Sequence, residues 1–179
     1  MNSQVTRGVN SLTGCPDPVV ELRAVLMAHL DAHREHVFAG IEGLGEDDLD
    51  RVVAPSGWTL RGMVTHLLYD VEIFWMGAVL GATPAAIAQV CDGWRASTIS
   101  GHRLRQMYLE AAVNGNKQLR TVDLSAEPTW WPSAEIFGGP RLTSNLEVVL
   151  RVTSETATHA GHIDVAREGI DGHQYLVVP

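Results

Sequence analysis

Four stretches of the chain carry apolar residues at three- and four-residue spacing, which is typical of amphipathic helices. The spacing predicts a first helix over residues 18–44, a second over 60–80, a third over about 102–122 and a fourth over about 145–169. No segment alternates apolar and polar residues as a strand would, and nothing repeats at a fixed period. The pattern therefore predicts an all-α protein, an antiparallel four-helix bundle.

Turn and capping residues divide these helices. Asp17, Thr59 and Ser144 stand where an N-cap is expected. A short helix is expected near residues 84–90, and Asn114-Gly115-Asn116 predicts a kink or a fraying end in the third helix. A long loop over 123–142, with three prolines and the pair Trp130-Trp131, precedes the last helix. Residues 1–16 are expected to form a flexible leader, and residues 17–179 one bundle domain.

The fourth predicted helix carries polar groups on a line that should face the core. The line runs through Val148, Val152, Glu155, His159, His162 and Ala166 at steps of three and four. A buried carboxylate is costly unless it is paired or bound to a cation. The simplest interpretation is a hydrogen-bonded core network, or a polar stripe at the solvent-exposed end of the bundle, but residues four apart on a helix also chelate one metal ion. Imidazole and carboxylate donors suit zinc, nickel, iron or cobalt better than copper(I).

A second helix must supply the rest of such a metal site. His66 on the second helix lies beside the apolar line of that helix. The first helix offers His33, flanked on the same face by His29 and His36, although their charged surroundings also suit a solvated face. Spacing alone leaves His66 and His33 both open.

Composition and charge narrow the classes of function. The formal net charge is −8 with a pI near 5.4, and no Lys/Arg-rich run is present. These features argue against a nucleic-acid partner. The N-terminus lacks the apolar stretch of a signal peptide, and the apolar runs are broken by charge or glycine, which favours a soluble cytoplasmic protein without a membrane partner. Cys15 and Cys91 form no CxxC pair and are interpreted as idle thiols rather than a disulfide.

Three blocks of the chain resemble a known family. They read "LDAHREHVFAGIEGLGEDDL", "PSGWTLRGMVTHLLYDVEIFW" and "ETATHAGHIDVAREGIDG". They are similar to the DinB-like superfamily, and to its actinobacterial branch of mycothiol-dependent transferases, over roughly residues 18–175. The resemblance implies a four-helix bundle of DinB/YfiT type with a long loop before the last helix, which is often a homodimer.

The same resemblance implies a divalent metal ion at one end of the bundle. Carried over residue by residue, its ligands are His66, Glu155 and His159, with zinc expected first and nickel, iron or cobalt as alternatives. Glu155 departs from the three-histidine version of the family. His162 lies outside that triad and is expected to be a general base, a fourth ligand or a supporting group. Asp164 and Glu72 also match the branch and are expected to be supporting or structural residues.

The resemblance further implies a metal-dependent transferase that holds a low-molecular-weight thiol, mycothiol, as a thiolate and adds it to an electrophile in detoxification or stress response. The thiol and the electrophile need a pocket beside the metal ion. Candidate cofactor-binding residues for this pocket are Arg95, Trp131 and Arg141. Two other functions stay open: a metal-dependent hydrolase or isomerase that uses metal-bound water, and a non-catalytic bundle whose metal ion only stabilises the fold.

Overall fold

The computed structural model describes residues 18–93 and 99–175. Its α-helices are, in chain order, Pro18–Ile41 (α1), Glu46–Leu49 (α2), Leu60–His66 (α3), Pro84–Ile87 (α4), Gly101–Thr121 (α5) and Asn145–Asp171 (α6). Helix α3 continues without a break as a π-helical segment over Leu67–Leu80. The described residues contain no strand, only an isolated antiparallel bridge between Val52 and Thr59. The predicted all-α fold and its four long helical stretches are confirmed.

Local sequence chemistry sets the helix ends. The Thr59 hydroxyl accepts a hydrogen bond from the Gly62 amide at 3.1 Å, and so starts α3. The Ser144 hydroxyl accepts one from the Glu147 amide at 3.3 Å and starts α6. Gly172, with φ of 78°, ends α6 in the left-handed conformation that glycine adopts at little cost. The predicted caps at Thr59 and Ser144 are thus confirmed, whereas Asp17 and the expected leader lie outside the described residues.

The second long helix forms the centre of the core. Helix α1 packs mainly against α6, while the π-helical segment packs against α5 and α6. Helix α3 and the π-helical segment together span Leu60–Leu80, which is long and apolar enough to cross a membrane by length and composition alone. However, 78% of its most apolar 18-residue stretch is buried inside the bundle. Its hydrophobicity is therefore that of a helix buried in the core of the bundle.

The apolar spacing that predicts the first helix does not mean that each of its apolar residues is buried. Val19 and Leu22 are 53% and 42% exposed, so the core begins only at Leu26. His33 is only half-buried, and the polar residue that enters the core is its neighbour Arg34, which is 3% exposed. Burial of that guanidinium is tolerated because it meets the buried carboxylate of Glu72 through two hydrogen bonds of 2.6–2.7 Å.

The expected kink at Asn114-Gly115-Asn116 is also wrong, since α5 runs unbroken from Gly101 to Thr121. Gly115 is buried where α5 approaches its neighbours most closely. A Cβ atom at this position would lie 3.1 Å from Met76 and 3.3 Å from both Arg34 and Glu72. The glycine is there for close packing, which outweighs its low helix propensity.

Candidate metal centre and adjoining cavity

His66 is held in place from two elements. It ends α3, and its Nδ1 lies 2.7 Å from a carboxylate oxygen of Asp70, one turn later. Asp70 also accepts hydrogen bonds from the Gly93 amide at 3.0 and 3.1 Å. A Cβ at residue 93 would lie 2.6 Å from Asp70 and 3.1 Å from the Cα of His66, so this contact requires glycine. With Nδ1 bound to Asp70, Nε2 is the nitrogen of His66 that can bind a metal ion.

Helix α6 brings Glu155 and His159 to the same place. Their side chains are one turn apart, with 3.5 Å between His159 Nε2 and Glu155 Oε2. The rings of His66 and His159 meet edge to face, with centroids 4.9 Å apart. One ligand atom from each of His66, Glu155 and His159 lies within 4.8 Å of the others. The structure therefore brings together the three residues that the resemblance implies as ligands, and His33 is not among them.

Burial keeps His159 ready to act as a ligand. Desolvation and, after it, the neighbouring His66 lower the pKa of His159 to about 4, against the opposing effect of Glu155. The ring is thus neutral near pH 7 and has a lone pair to donate. The polar line of α6 lies at the edge of the core rather than inside it, because Thr156, Ala160 and Ile163 take the buried positions. The prediction that Glu155 and His162 face the core is wrong to that extent: Glu155 is half-buried and His162 exposed.

A cavity of about 550 Å³ opens beside these residues. Its walls are His66, Asp70, Val71, Phe74, Trp75, Val90, Cys91, Asp92, Glu135, Ile136, Phe137, Arg151 and Glu155. Two of the three candidate ligands, His66 and Glu155, thus line a space large enough for a small organic molecule. Another cavity, of about 400 Å³, lies between the π-helical segment, α4 and α5, and none of the three candidate ligands lines it.

A family model described as Mycothiol-S-transferase matches residues 25–172. The chain belongs to the mycothiol S-transferase family. This family is part of the DinB-like superfamily, as the three sequence blocks indicate. No curated protein and no solved structure matches the chain.

The other described site residues predicted for this family member, His162, Trp131 and Arg141, do not line the cavity. His162 is on the far side of His159 from Glu155, with 3.4 Å between the Nδ1 atoms of the two histidines. Trp131 stands behind the cavity wall, with its ring 5.8 Å from the rings of both Trp75 and Phe137. Arg141 is exposed and donates to the Pro128 carbonyl at 2.6 Å within its own loop. Their roles stay predictions.

Arg95 lies outside the described residues. The two further residues that match the branch, Asp164 and Glu72, both make contacts between helices. Asp164 binds His36 Nε2 at 2.7–2.8 Å between α6 and α1, and Glu72 pairs with Arg34 in the core. Cys91 is a free, exposed thiol at the cavity wall.

Sequence reasoning missed two residues of this site. Asp70 has a readable signal, because a carboxylate four residues after a histidine on a helix reaches that histidine. Arg151, four residues before Glu155, lies on the same face of α6, but nothing in the sequence indicates that it meets aromatic rings from elsewhere. Those rings are Trp75 and Phe137, whose centroids lie 4.7 and 5.6 Å from its guanidinium carbon.

Proposed function

We propose that the chain is a metal-dependent transferase that uses mycothiol as its thiol and adds the sulfur to an electrophilic small molecule. The observation that carries the proposal is the cluster of His66, Glu155 and His159 beside a cavity of about 550 Å³. Structural zinc sites have four protein ligands, whereas catalytic sites keep an open position for water or substrate. Family membership supports mycothiol as the thiol.

The donor set suits a divalent ion. Two imidazoles and one carboxylate match the preferences of zinc, with nickel, iron and cobalt as alternatives. The 3.5 Å between His159 Nε2 and Glu155 Oε2 is close to the roughly 3.3 Å that separates two ligand atoms of tetrahedral zinc. When bound, such an ion would supply a Lewis acid that lowers the pKa of a coordinated thiol.

The surrounding residues would orient the reactants. Asp70 fixes the ring of His66, and the aromatic walls formed by Phe74, Trp75 and Phe137 would bind an apolar electrophile and exclude water. His162 is exposed, with its Nδ1 atom 3.4 Å from that of His159, and is our candidate to accept the thiol proton and pass it to solvent. The electron pair of the sulfur then forms the new C–S bond, and a leaving group departs with the pair of the bond that breaks.

The cellular setting belongs to the same proposal. We infer a role in detoxification of electrophiles by a cytoplasmic homodimer. Apolar side chains exposed near the start of α1, Val19, Val20, Leu22 and Val25, support a self-association surface. Light scattering coupled to size-exclusion chromatography tests it: a monomer at micromolar concentration would contradict the dimer.

The deciding experiment measures metal content and thiol conjugation together. Wild type, His66→Ala and the control His33→Ala are purified, assayed for bound metal, and tested with a bimane electrophile and mycothiol, bacillithiol or glutathione. We expect His66→Ala to lose the metal and the conjugation, and His33→Ala to keep both.

Each other result contradicts one part of the proposal. Full metal occupancy in His66→Ala would refute the ligand assignment. Absence of conjugation with every thiol would refute the transferase. Turnover of an electrophile without thiol would point to the hydrolase or isomerase, and bound metal with no turnover to the non-catalytic bundle.

A further inference from the structure

Arg151 presents a cation to the cavity that contains the candidate ligands. It lies one turn before Glu155 on α6 and is among the residues that line the cavity. Its guanidinium carbon is 4.7 Å from the ring centroid of Trp75 and 5.6 Å from that of Phe137. The aromatic rings hold the planar group in one place, so its charge has a defined position on the wall.

Among the described residues, the Arg151 side chain makes no hydrogen bond that holds the fold together. Its closest carboxylate oxygen, Glu155 Oε1, is 3.8 Å from Nη2, which is too long for a hydrogen bond. Its buried Nε has no hydrogen-bond partner among the residues that the structure describes. By contrast, Arg34, Arg61 and Arg167 each contact a carboxylate at 2.6–2.8 Å. Arg151 therefore has donors available for a ligand.

The other charges on the described cavity walls are mostly negative. Asp70, Asp92, Glu135 and Glu155 all line the cavity, and Arg151 is the one arginine or lysine among the described lining residues. Acidic walls disfavour an anion everywhere except beside a cation. A cation bound by Glu155 would also neutralise this carboxylate, which is the negative charge nearest to Arg151. The guanidinium is thus the place where an anionic group fits, with its planar fork suited to a carboxylate.

We propose that Arg151 forms an anion subsite of this cavity, and that the electrophile is an organic acid with an aromatic or other apolar body and a carboxylate bound by Arg151. The substrate class rests on the proposed transferase, whereas the subsite itself does not. The apolar body would lie against Phe74 and Trp75, with the reactive carbon toward the metal ligands. The carboxylate takes no part in the bond changes, which are confined to sulfur, carbon and leaving group.

Binding is measured first, without turnover. Isothermal titration calorimetry compares 4-methylbenzoate with neutral 4-methylbenzamide on wild type, Arg151→Met, Arg151→Lys and Arg105→Met. Arg105 is a matched control, because its guanidinium also lies over a ring, Phe38 at 5.5 Å, and 3.9 Å from a glutamate, Glu42, away from the cavity. Metal content and melting temperature are recorded for every variant.

We expect Arg151→Met to weaken benzoate binding at least about tenfold, the size of a lost charge-assisted hydrogen bond, and to leave benzamide binding unchanged. Arg151→Lys should fall in between because an ammonium lacks the planar fork. Unchanged benzoate affinity in Arg151→Met would overturn the subsite. So would benzoate binding that survives in Arg151→Met but disappears when the metal is removed, since the carboxylate would then bind the ion. If Arg151→Met loses its metal ion, the test is the benzoate affinity of Arg151→Lys at full metal content. An affinity equal to that of wild type would then overturn the subsite.

Turnover then tests the substrate class. With mycothiol, 4-(bromomethyl)benzoate should be a better substrate than its methyl ester in wild type and in Arg105→Met. The preference should be reduced in Arg151→Lys, which keeps the charge, and should disappear in Arg151→Met. An equal preference in all variants would contradict the class. Failure of every thiol reaction with intact benzoate binding would refute the proposed transferase and leave the subsite standing.

Discussion

Asp70 controls how His66 is presented although it is not one of the three candidate ligands. Its carboxylate lies 2.7 Å from His66 Nδ1 and also binds the Gly93 amide. Such a carboxylate fixes the tautomer and the orientation of a metal-binding histidine and makes the ring more basic. The chemistry of the site therefore depends on a residue outside the ligand set.

We expect Asp70→Asn to weaken metal affinity about 10- to 100-fold with little change in fold, because the amide keeps the size of the side chain but loses its charge. Competition with a chromophoric chelator measures the affinity. Asp164→Asn is the matched control, since Asp164 makes the same kind of contact with His36 between α1 and α6. An equal loss in both variants would show that the effect is general destabilisation.

The buried ring of His159 predicts a pH dependence of stability in the metal-free protein. Burial lowers the pKa of this ring from 6.5, its ordinary value in an unfolded chain, to about 4 in the fold. The unfolded chain therefore takes up a proton first, and the free energy of unfolding falls as the pH drops from 6.5 to 4 and levels off below 4. Allowing for solvent screening of a partly buried ring, we expect a loss of about 1–2 kcal/mol.

Urea unfolding of chelator-treated protein at several pH values measures this loss. The part due to His159 is the difference between wild type and His159→Gln, whose side chain does not titrate. The exposed His29 supplies the control variant His29→Gln. Parallel pH curves for wild type and His159→Gln would contradict the prediction.

At the scale of elements, the contact between α1 and α6 positions the helix that carries the candidate ligands Glu155 and His159. Gly40 near the end of α1 allows this contact, because a Cβ there would lie 2.3 Å from Cγ2 of the fully buried Ile163. Ile163 is one residue after His162, so a shift at this contact would displace the part of α6 that carries His162.

We expect Gly40→Ala to destabilise the protein by about 1–3 kcal/mol, the range for overpacking a core. Gly169→Ala is the control within α6, since no atom lies within 4 Å of the added Cβ and alanine favours the helix by up to about 1 kcal/mol. Thermal and urea unfolding measure both. Stabilisation by Gly40→Ala would mean that Ile163 repacks at no cost.

At the scale of the whole molecule, one buried polar network joins three long helices. Arg34 on α1 binds Glu72 in the π-helical segment through two hydrogen bonds and donates to Asn116 on α5 at 2.7 Å. The side chains of Arg34 and Glu72 are 4% and 0% exposed. An ion pair buried to this degree is costly to break from one side only.

We expect Glu72→Gln to cost about 3–5 kcal/mol, because it leaves the Arg34 charge buried without compensation. The double variant Arg34→Met with Glu72→Leu should be more stable than Glu72→Gln alone. The exposed pair Arg105–Glu42, at 3.9 Å, is the control, and Glu42→Gln should change stability by no more than about 0.5 kcal/mol. Urea unfolding measures all four proteins, and a double variant less stable than Glu72→Gln would contradict the expectation.

Sequence patterns were sufficient to predict the features of the protein that depend on residues close together in the chain. Apolar spacing predicted the long helices, and Thr59 and Ser144 predicted two helix starts, because a cap acts within three residues. The i, i+4 pair of Glu155 and His159 was readable for the same reason. The choice of His66 over His33 came from the resemblance, since periodicity on separate helices does not say which faces meet.

Only the tertiary structure decided what depends on neighbours distant in sequence. The change from α- to π-helix at Leu67 was not predictable, because apolar residues at three- and four-residue steps suit both forms. The sequence alone suggests that Gly115 weakens its helix, and only the structure shows that Met76, Arg34 and Glu72 leave no room there for a larger residue. Arg151 is an ordinary surface arginine in the sequence, and it becomes a charge at the wall of a cavity only because the bundle brings Trp75 and Phe137 beneath it. Local free energies set the helices, whereas packing between helices created the site.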